Sequence, residues 1–206
     1  MPQPMFIALE PDPRLTQFLL DAKARAHRLV GDQLYLSDPP HLTLYLAYFD
    51  AVEPVLERLH TLKLPKIQGQ ILGWHIFEAD VLTGRNTLVC EIDPQDKPAL
   101  RGIQQQVIDA IHPLRDPDAT ANRYAKSRAN LSIERQQAID QVGFPFIGED
   151  WQPHFSVGSI LPNDWPPVWH ELEPTPPPRE FACPLLKLYR LDGITPVLVQ
   201  AFDIAP

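Results

Sequence analysis

The sequence predicts an α+β fold built from two related halves, and three observations predict it. Short β-type apolar runs alternate with helical ones along the whole chain. The length, 206 residues, suits one compact domain or two small lobes that share a core. One pattern of proline, histidine, apolar, hydroxyl and apolar residues occurs twice, once in each half: "PHLTL" ending at Leu44 and "PHFSV" ending at Val157.

Taken in order, "MFIALE" reads as a first strand. "PDPRLTQFLLDAKARAHRL" reads as a helix, with Asp12 as N-cap and Pro13 at its first position. Leu15, Phe18, Leu19, Ala22, Ala26 and Leu29 fall on its apolar face. The first repeated string opens a strand, "HLTLYLAYF". A short helix follows at "DAVEPVLERLHTL", where Asp50 and Glu53 are spaced as a capping box. "KIQGQILGWHIFEAD" and "NTLVCEID" read as two strands joined by a turn around "TGRN". "DKPALRGIQQQVIDAI" is a second amphipathic helix with Leu100, Ile103, Val107 and Ile111 inward. The stretch from His112 to Asp150 is polar and irregular, with one helix expected at "SIERQQAIDQV". The second repeated string is the strand "HFSVGSIL". A proline-rich connector at about 162–180 reads as a surface loop rather than a helix. "LLKLYRLDGITPVLVQAF" closes the chain as a hairpin turning near Asp192-Gly193.

Composition excludes several classes. No apolar run reaches the roughly 18 residues of a membrane span, and no basic region precedes the short apolar N-terminal stretch, so no signal peptide is expected. Cys90 and Cys183 are too few for a disulfide framework and lack zinc-site spacing. The expectation is a cytosolic, monomeric protein without metal or cofactor. A net charge of -8 disfavours long polyanions, which are held by many basic contacts, yet allows a small phosphorylated ligand or one nucleic-acid end.

The repeated string carries chemistry. Residues two apart on a strand share a face, so His41 points with Thr43, and His154 with Ser156, while Leu42, Leu44, Phe155 and Val157 point the other way. Imidazole, with an ordinary pKa of ~6.5, is suited to moving protons near neutrality. A neutral imidazole can take a proton from an attacking hydroxyl while a charged one protonates the leaving oxygen. The hydroxyls can donate to non-bridging phosphate oxygens. One H-x-[ST] string recurs easily by chance; two, each after a proline and inside a β-type run, do not.

These strings resemble the paired H-x-[ST]-x motifs of the two-histidine (2H) phosphoesterase superfamily, which includes the 2′-5′ RNA ligase-like proteins and cyclic nucleotide phosphodiesterases. The opening "FIALEPDP" unit and the order of elements share the likeness, which is weakest over 112–150 and in the connector. The resemblance implies a single bilobal domain over 1–206, with two antiparallel sheets facing a central cleft, helices outside and one motif on each side. It implies His41, Thr43, His154 and Ser156 as the catalytic set. It also implies a metal-independent reaction on a cyclic or 2′-5′-linked phosphodiester of a nucleotide or RNA end. Which histidine is the base stays open, as does hydrolysis against ligation.

Further candidates are weaker. Tyr45 continues the face of His41 and Thr43 by strand period and is a candidate for touching base or ribose. Trp151, just before the second motif, is a candidate stacking surface. Arg123, Lys126 and Arg128 in "NRYAKSR" are the best local positive charge, with Arg85 in a turn as a further candidate. His75 reads as structural. No H-E-x-x-H or G-x-S-x-G motif supports a zinc or serine hydrolase. The remaining competitor is a module that binds a nucleotide or RNA end without turning it over.

Overall fold

In the computed structural model, which describes residues 1–204, the first strand β1 (Gln3–Glu10) buries Met5, Ile7 and Leu9 on one face and Phe6 and Ala8 on the other. Helix α1 (Pro13–Val30) starts where the sequence expects it. The Asp12 carboxylate accepts from the backbone N–H of Arg14 and Leu15 at 2.9 and 3.1 Å, meeting two of the donors that a first turn leaves open. Gly31 ends it at φ 67°. Leu29 is exposed, so the buried stripe stops at Ala26.

Strand β2 (Leu42–Phe49), helix α2 (Glu53–Thr61), strands β3 (Gln68–Phe77) and β4 (Asn86–Ile92) and helix α3 (Lys97–Ile111) follow. Asp50 does not cap α2. Pro54 must fall in the first turn, where its missing N–H costs nothing, and that puts Val52, without a side-chain acceptor, at the cap. The irregular stretch holds two helices rather than one. The expected α5 (Ile133–Val142) is capped by Ser132. The unexpected α4 (Pro117–Tyr124) is capped by Asp116, whose carboxylate accepts from Ala119 N–H at 2.8 Å.

Strand β5 (His154–Ile160) carries the second motif, and the connector after it corrects the sequence reading. It forms helix α6 (Trp165–Leu172) and a short strand β6 (Glu180–Ala182). Pro166 and Pro167 lie in the first turn of α6, where N–H groups have no intrahelical partner anyway. Val168 and Leu172 then bury, and Arg25 of α1 reaches both the carboxylate and the carbonyl of Glu171. The hairpin β7 (Leu185–Asp192) and β8 (Thr195–Asp203) closes the chain.

The strands form two antiparallel four-stranded sheets, ordered β2–β1–β7–β8 and β5–β4–β3–β6. Each motif strand is therefore an outer strand of its sheet. The sheets do not divide the chain at its middle: β3 and β4 belong with β5, and the closing hairpin returns to β1. The crossover helices are exchanged as well, since α1 packs against β5 and α3 against β2. One continuous apolar core runs behind both sheets.

Open edges invite unwanted pairing, and both motif strands are covered at their far ends. Tyr48 N–H donates to the Thr120 hydroxyl at 3.0 Å, and its carbonyl accepts from Asp116 N–H at 2.8 Å. Ser159 N–H donates to the Leu34 carbonyl at 2.9 Å. The histidine ends stay open. No helix of the described residues is long and apolar enough to cross a membrane.

Candidate active site

The prolines of the repeated string have a local effect. A residue before proline is held extended, so in Pro39-Pro40-His41 and Gln152-Pro153-His154 the carbonyl two residues back turns toward the ring. His41 Nδ1 lies 2.7 Å from the Pro39 carbonyl, and His154 Nδ1 lies 2.6 Å from the Gln152 carbonyl. A carbonyl only accepts, so each Nδ1 carries the hydrogen. In the neutral ring this leaves Nε2 as the acceptor, and both imidazoles are held in the same tautomer.

Thr43 and Ser156 are half-buried beside these rings, while Leu42, Leu44, Phe155 and Val157 are buried behind. Past that point both strands break their period. The pairing of β1 with β2 runs Ile7 to Tyr45 and Ala8 to Thr43, which leaves Leu44 unpaired. The pairing of β4 with β5 runs Leu88 to Gly158 and Val89 to Ser156, which leaves Val157 unpaired. Each motif ends in a β-bulge at its last residue, and a bulge shifts the faces of everything after it. Tyr45 therefore turns into the core instead of the cleft. It is fully buried and its hydroxyl donates to the Val142 carbonyl at 2.5 Å.

Side chains that sequence reasoning missed surround the histidines. Phe6 and Tyr189, on the cleft face of the first sheet, stack at 4.9 Å, and the Phe6 ring is 5.0 Å from His41. Phe77 meets His154 edge-on at 5.1 Å, and His75 meets Phe77 at 4.8 Å. His75 is not a packed structural residue. Together with Phe77, Glu91, Lys97, Gln152 and His154 it lines a cavity of about 150 Å³.

In each sheet one row across the strands holds a hydroxyl, a small apolar residue and a base: Thr43–Ala8–Lys187 and Ser156–Val89–His75. Lys187 pairs with Glu10, and Lys97 lies 3.5 Å from Glu91. No local motif encodes these neighbours, because they depend on which strands lie side by side.

The two imidazoles sit in different fields. Burial holds His41 down to about 4, with the Lys23 ammonium and His154 pushing the same way against the Pro39 contact. Burial also lowers His154, but there Asp80 favours the charged ring while His75 opposes it. Arg123 and Lys126 are exposed at and beyond the end of α4. Neither is among the charges that bear on the histidines; Arg123 acts on Tyr35 and Tyr124 instead. Arg85 donates to Gln33 at 3.2 Å.

Trp151 is also corrected. It lies in the main core at 4% exposure and has no face open to a base. Both cysteines are buried, and among the described residues no three His, Cys, Asp or Glu side chains converge as a metal-ligand set.

The family model for the 2′-5′ RNA ligase superfamily matches residues 11–195. The chain belongs to that superfamily. Its fold agrees with solved structures of related architecture at low identity. The structure of TT0787 from Thermus thermophilus superposes with a TM-score of 0.58 at 14% identity, over 98% of this chain and 97% of that one. E. coli LigT complexed with 3′-AMP gives 0.54 at 13%, and LigT complexed with ATP gives 0.53 at 11%, each over the full length of both chains. No curated protein matches the chain in sequence. The chain shares with these 2H phosphoesterase structures an α+β architecture of two four-stranded antiparallel sheets.

Proposed function

We propose that the protein is a metal-independent phosphodiesterase that opens a 2′,3′-cyclic phosphate, or cleaves a 2′-5′ linkage, at a nucleotide or RNA end. The observation that carries this reading is the matched pair of imidazoles, each fixed through Nδ1 and free at Nε2, on or just before the outer strands of the two sheets and close enough for His154 to bear on His41. His41, faced by the Lys23 ammonium where His154 is faced by Asp80, serves as base and takes the proton of the attacking water through Nε2. As the new P–O bond forms, the bond to a ribose oxygen breaks, and protonated His154 gives its Nε2 proton to that oxygen. Thr43 and Ser156 donate to the non-bridging oxygens, where preorganised hydrogen bonds are worth most. Both motifs lie on one chain, so the site needs no second subunit.

The open cavity beside His154 offers Phe77 as a ring surface for the nucleoside part of the substrate. LigT, similar in fold, has been seen with 3′-AMP and ATP, which supports a nucleotide as the substrate class. With a 5′-hydroxyl in place of water the same two proton transfers would make a 2′-5′ bond. The superfamily match keeps that second reading open.

The test is hydrolysis of the four nucleoside 2′,3′-cyclic phosphates and a 2′-5′ dinucleotide, with EDTA, by wild type and His154→Ala. Turnover that withstands EDTA and falls by about 10²–10⁴-fold in the variant is expected. Absence of turnover on every substrate would overturn the enzymatic reading in favour of a binding module.

A further inference from the structure

The two bulges have a property that their sequences do not announce. The carbonyl of each bulged residue is taken up by a buried polar side chain from the helix behind it. Lys23 of α1, 4% exposed, donates from Nζ to the Val157 carbonyl at 2.8 Å. Gln104 of α3, 1% exposed, donates from Nε2 to the Leu44 carbonyl at 3.0 Å.

Each of these side chains has a second acceptor, and it lies on the approach to the other histidine. Lys23 also donates to the Tyr35 carbonyl at 2.5 Å, in the loop that leads into His41. Tyr35 holds φ at 67°, an unusual value for a residue with a side chain. Gln104 also donates to the Phe146 carbonyl at 2.9 Å, in the segment that leads into His154. The linkage is reciprocal: each side chain joins the bulge of one motif to the lead-in of the other. Burying an amine and an amide this deeply is costly unless every donor finds a partner, and packing alone would favour apolar residues at both positions.

We propose that Lys23 and Gln104 are positioning residues that set the separation and facing of the two imidazoles across the cleft. The proposal rests on the two-histidine reading of the site. Neither side chain touches the cleft's substrate-facing groups in this role; each acts through the strands it ties. A misplacement of about 1 Å in such a pair can cost roughly 10²-fold in rate.

The two ties differ in charge, and that separates positioning from simple packing. His41 is faced by Lys23 from α1, His154 from β5 and Tyr189 from β7, and Asp38 faces Lys23 from the loop between. Removing the Lys23 charge lets His41 accept a proton more readily. Removing Gln104 changes geometry without removing a charge.

The experiment uses Lys23→Met, Lys23→Gln and Gln104→Met in the full chain, with thermal melting, kcat and KM on the cyclic phosphates, and NMR titration of both histidines. Lys23→Met and Gln104→Met are expected to lower kcat by about 10- to 100-fold with KM little changed. Lys23→Met should move the His41 titration, and the acid limb of kcat/KM, to higher pH. Lys23→Gln, a neutral donor, should move the titration equally yet recover part of kcat. Gln104→Met should leave the acid limb in place. Folded variants with wild-type kcat would overturn the proposal, as would a His41 titration that ignores the loss of Lys23. If wild type turns over nothing, the catalytic reading fails on its own. The ring resonances then decide the ties: displacement of both histidines' ring signals by Gln104→Met, with their titrations unmoved, keeps them, and ring signals that stay at their wild-type positions overturn them.

Discussion

At the scale of single residues, the two histidines are matched in tautomer and unmatched in field. Truncating either, as His41→Ala or His154→Ala, is expected to lower turnover by about 10²–10⁴-fold with an unchanged fold by circular dichroism; near-full activity in either would refute the acid–base assignment. Thr43→Ala and Ser156→Ala should cost less, up to the ~2.7–4 kcal/mol of one preorganised donor. Phe77→Ala should raise KM more than it lowers kcat if, as proposed, the ring meets the nucleoside and not the phosphate. The pH profile follows from the directions of the shifts. For free enzyme, kcat/KM should rise as His41 loses its proton, near its value of about 4, and fall as His154 loses its own. Both rings are held below the ordinary imidazole value, so the optimum should be acidic. Phosphate bound between the rings favours their charged forms, so kcat should peak at a higher pH than kcat/KM. An alkaline optimum for kcat/KM would show that the two rings are not held below the ordinary imidazole value in the folded protein.

At the scale of elements, the bulged strands are tightly fitted. Gly158 follows the bulge of β5, and a Cβ there would stand 2.5 Å from Leu36, in the loop before His41. Gly158→Ala should therefore cost about 1–3 kcal/mol and lower kcat as well, measured by denaturant unfolding beside kinetics. Leu172→Ala in α6 should cost about 2–5 kcal/mol while leaving kcat of the folded protein unchanged. These elements also show where the sequence was legible. Asp12, Pro13 and the H-x-[ST] faces were readable because their chemistry is local. Tyr45 was not, since a bulge is defined only by the partner strand, and one skipped residue sends the next side chain to the opposite face. Helix α6 was missed because Pro166 and Pro167 read as breakers until their place in the first turn is known. Lys187 and Glu10 meet only because β7 lies beside β1, a pairing that no local pattern announces.

At the scale of the whole molecule, burial of a neutral His41 ties stability to pH. The unfolded ring takes a proton below about 6.5 and the folded one only near 4. The stability it contributes is therefore complete above 6.5 and is lost as pH falls toward 4, by on the order of 3 kcal/mol at most. Unfolding free energies of wild type and His41→Gln between pH 4 and 7 should show the steeper acid loss in wild type; parallel curves would mean that His41 charges freely in the fold. The exchange of helices between the sheets reaches beyond equilibrium. Helix α1 is made early, yet the strand it packs against and the carbonyl that Lys23 needs lie 134 residues later. Long separations of this kind slow folding, because chain closure must be met before the contact rewards it. On the ribosome, the first motif emerges with neither its supporting helix α3 nor the second acceptor of Lys23, the Val157 carbonyl. The nascent chain can make secondary structure as it grows, but it can reach its native cleft only once β5 has left the exit tunnel.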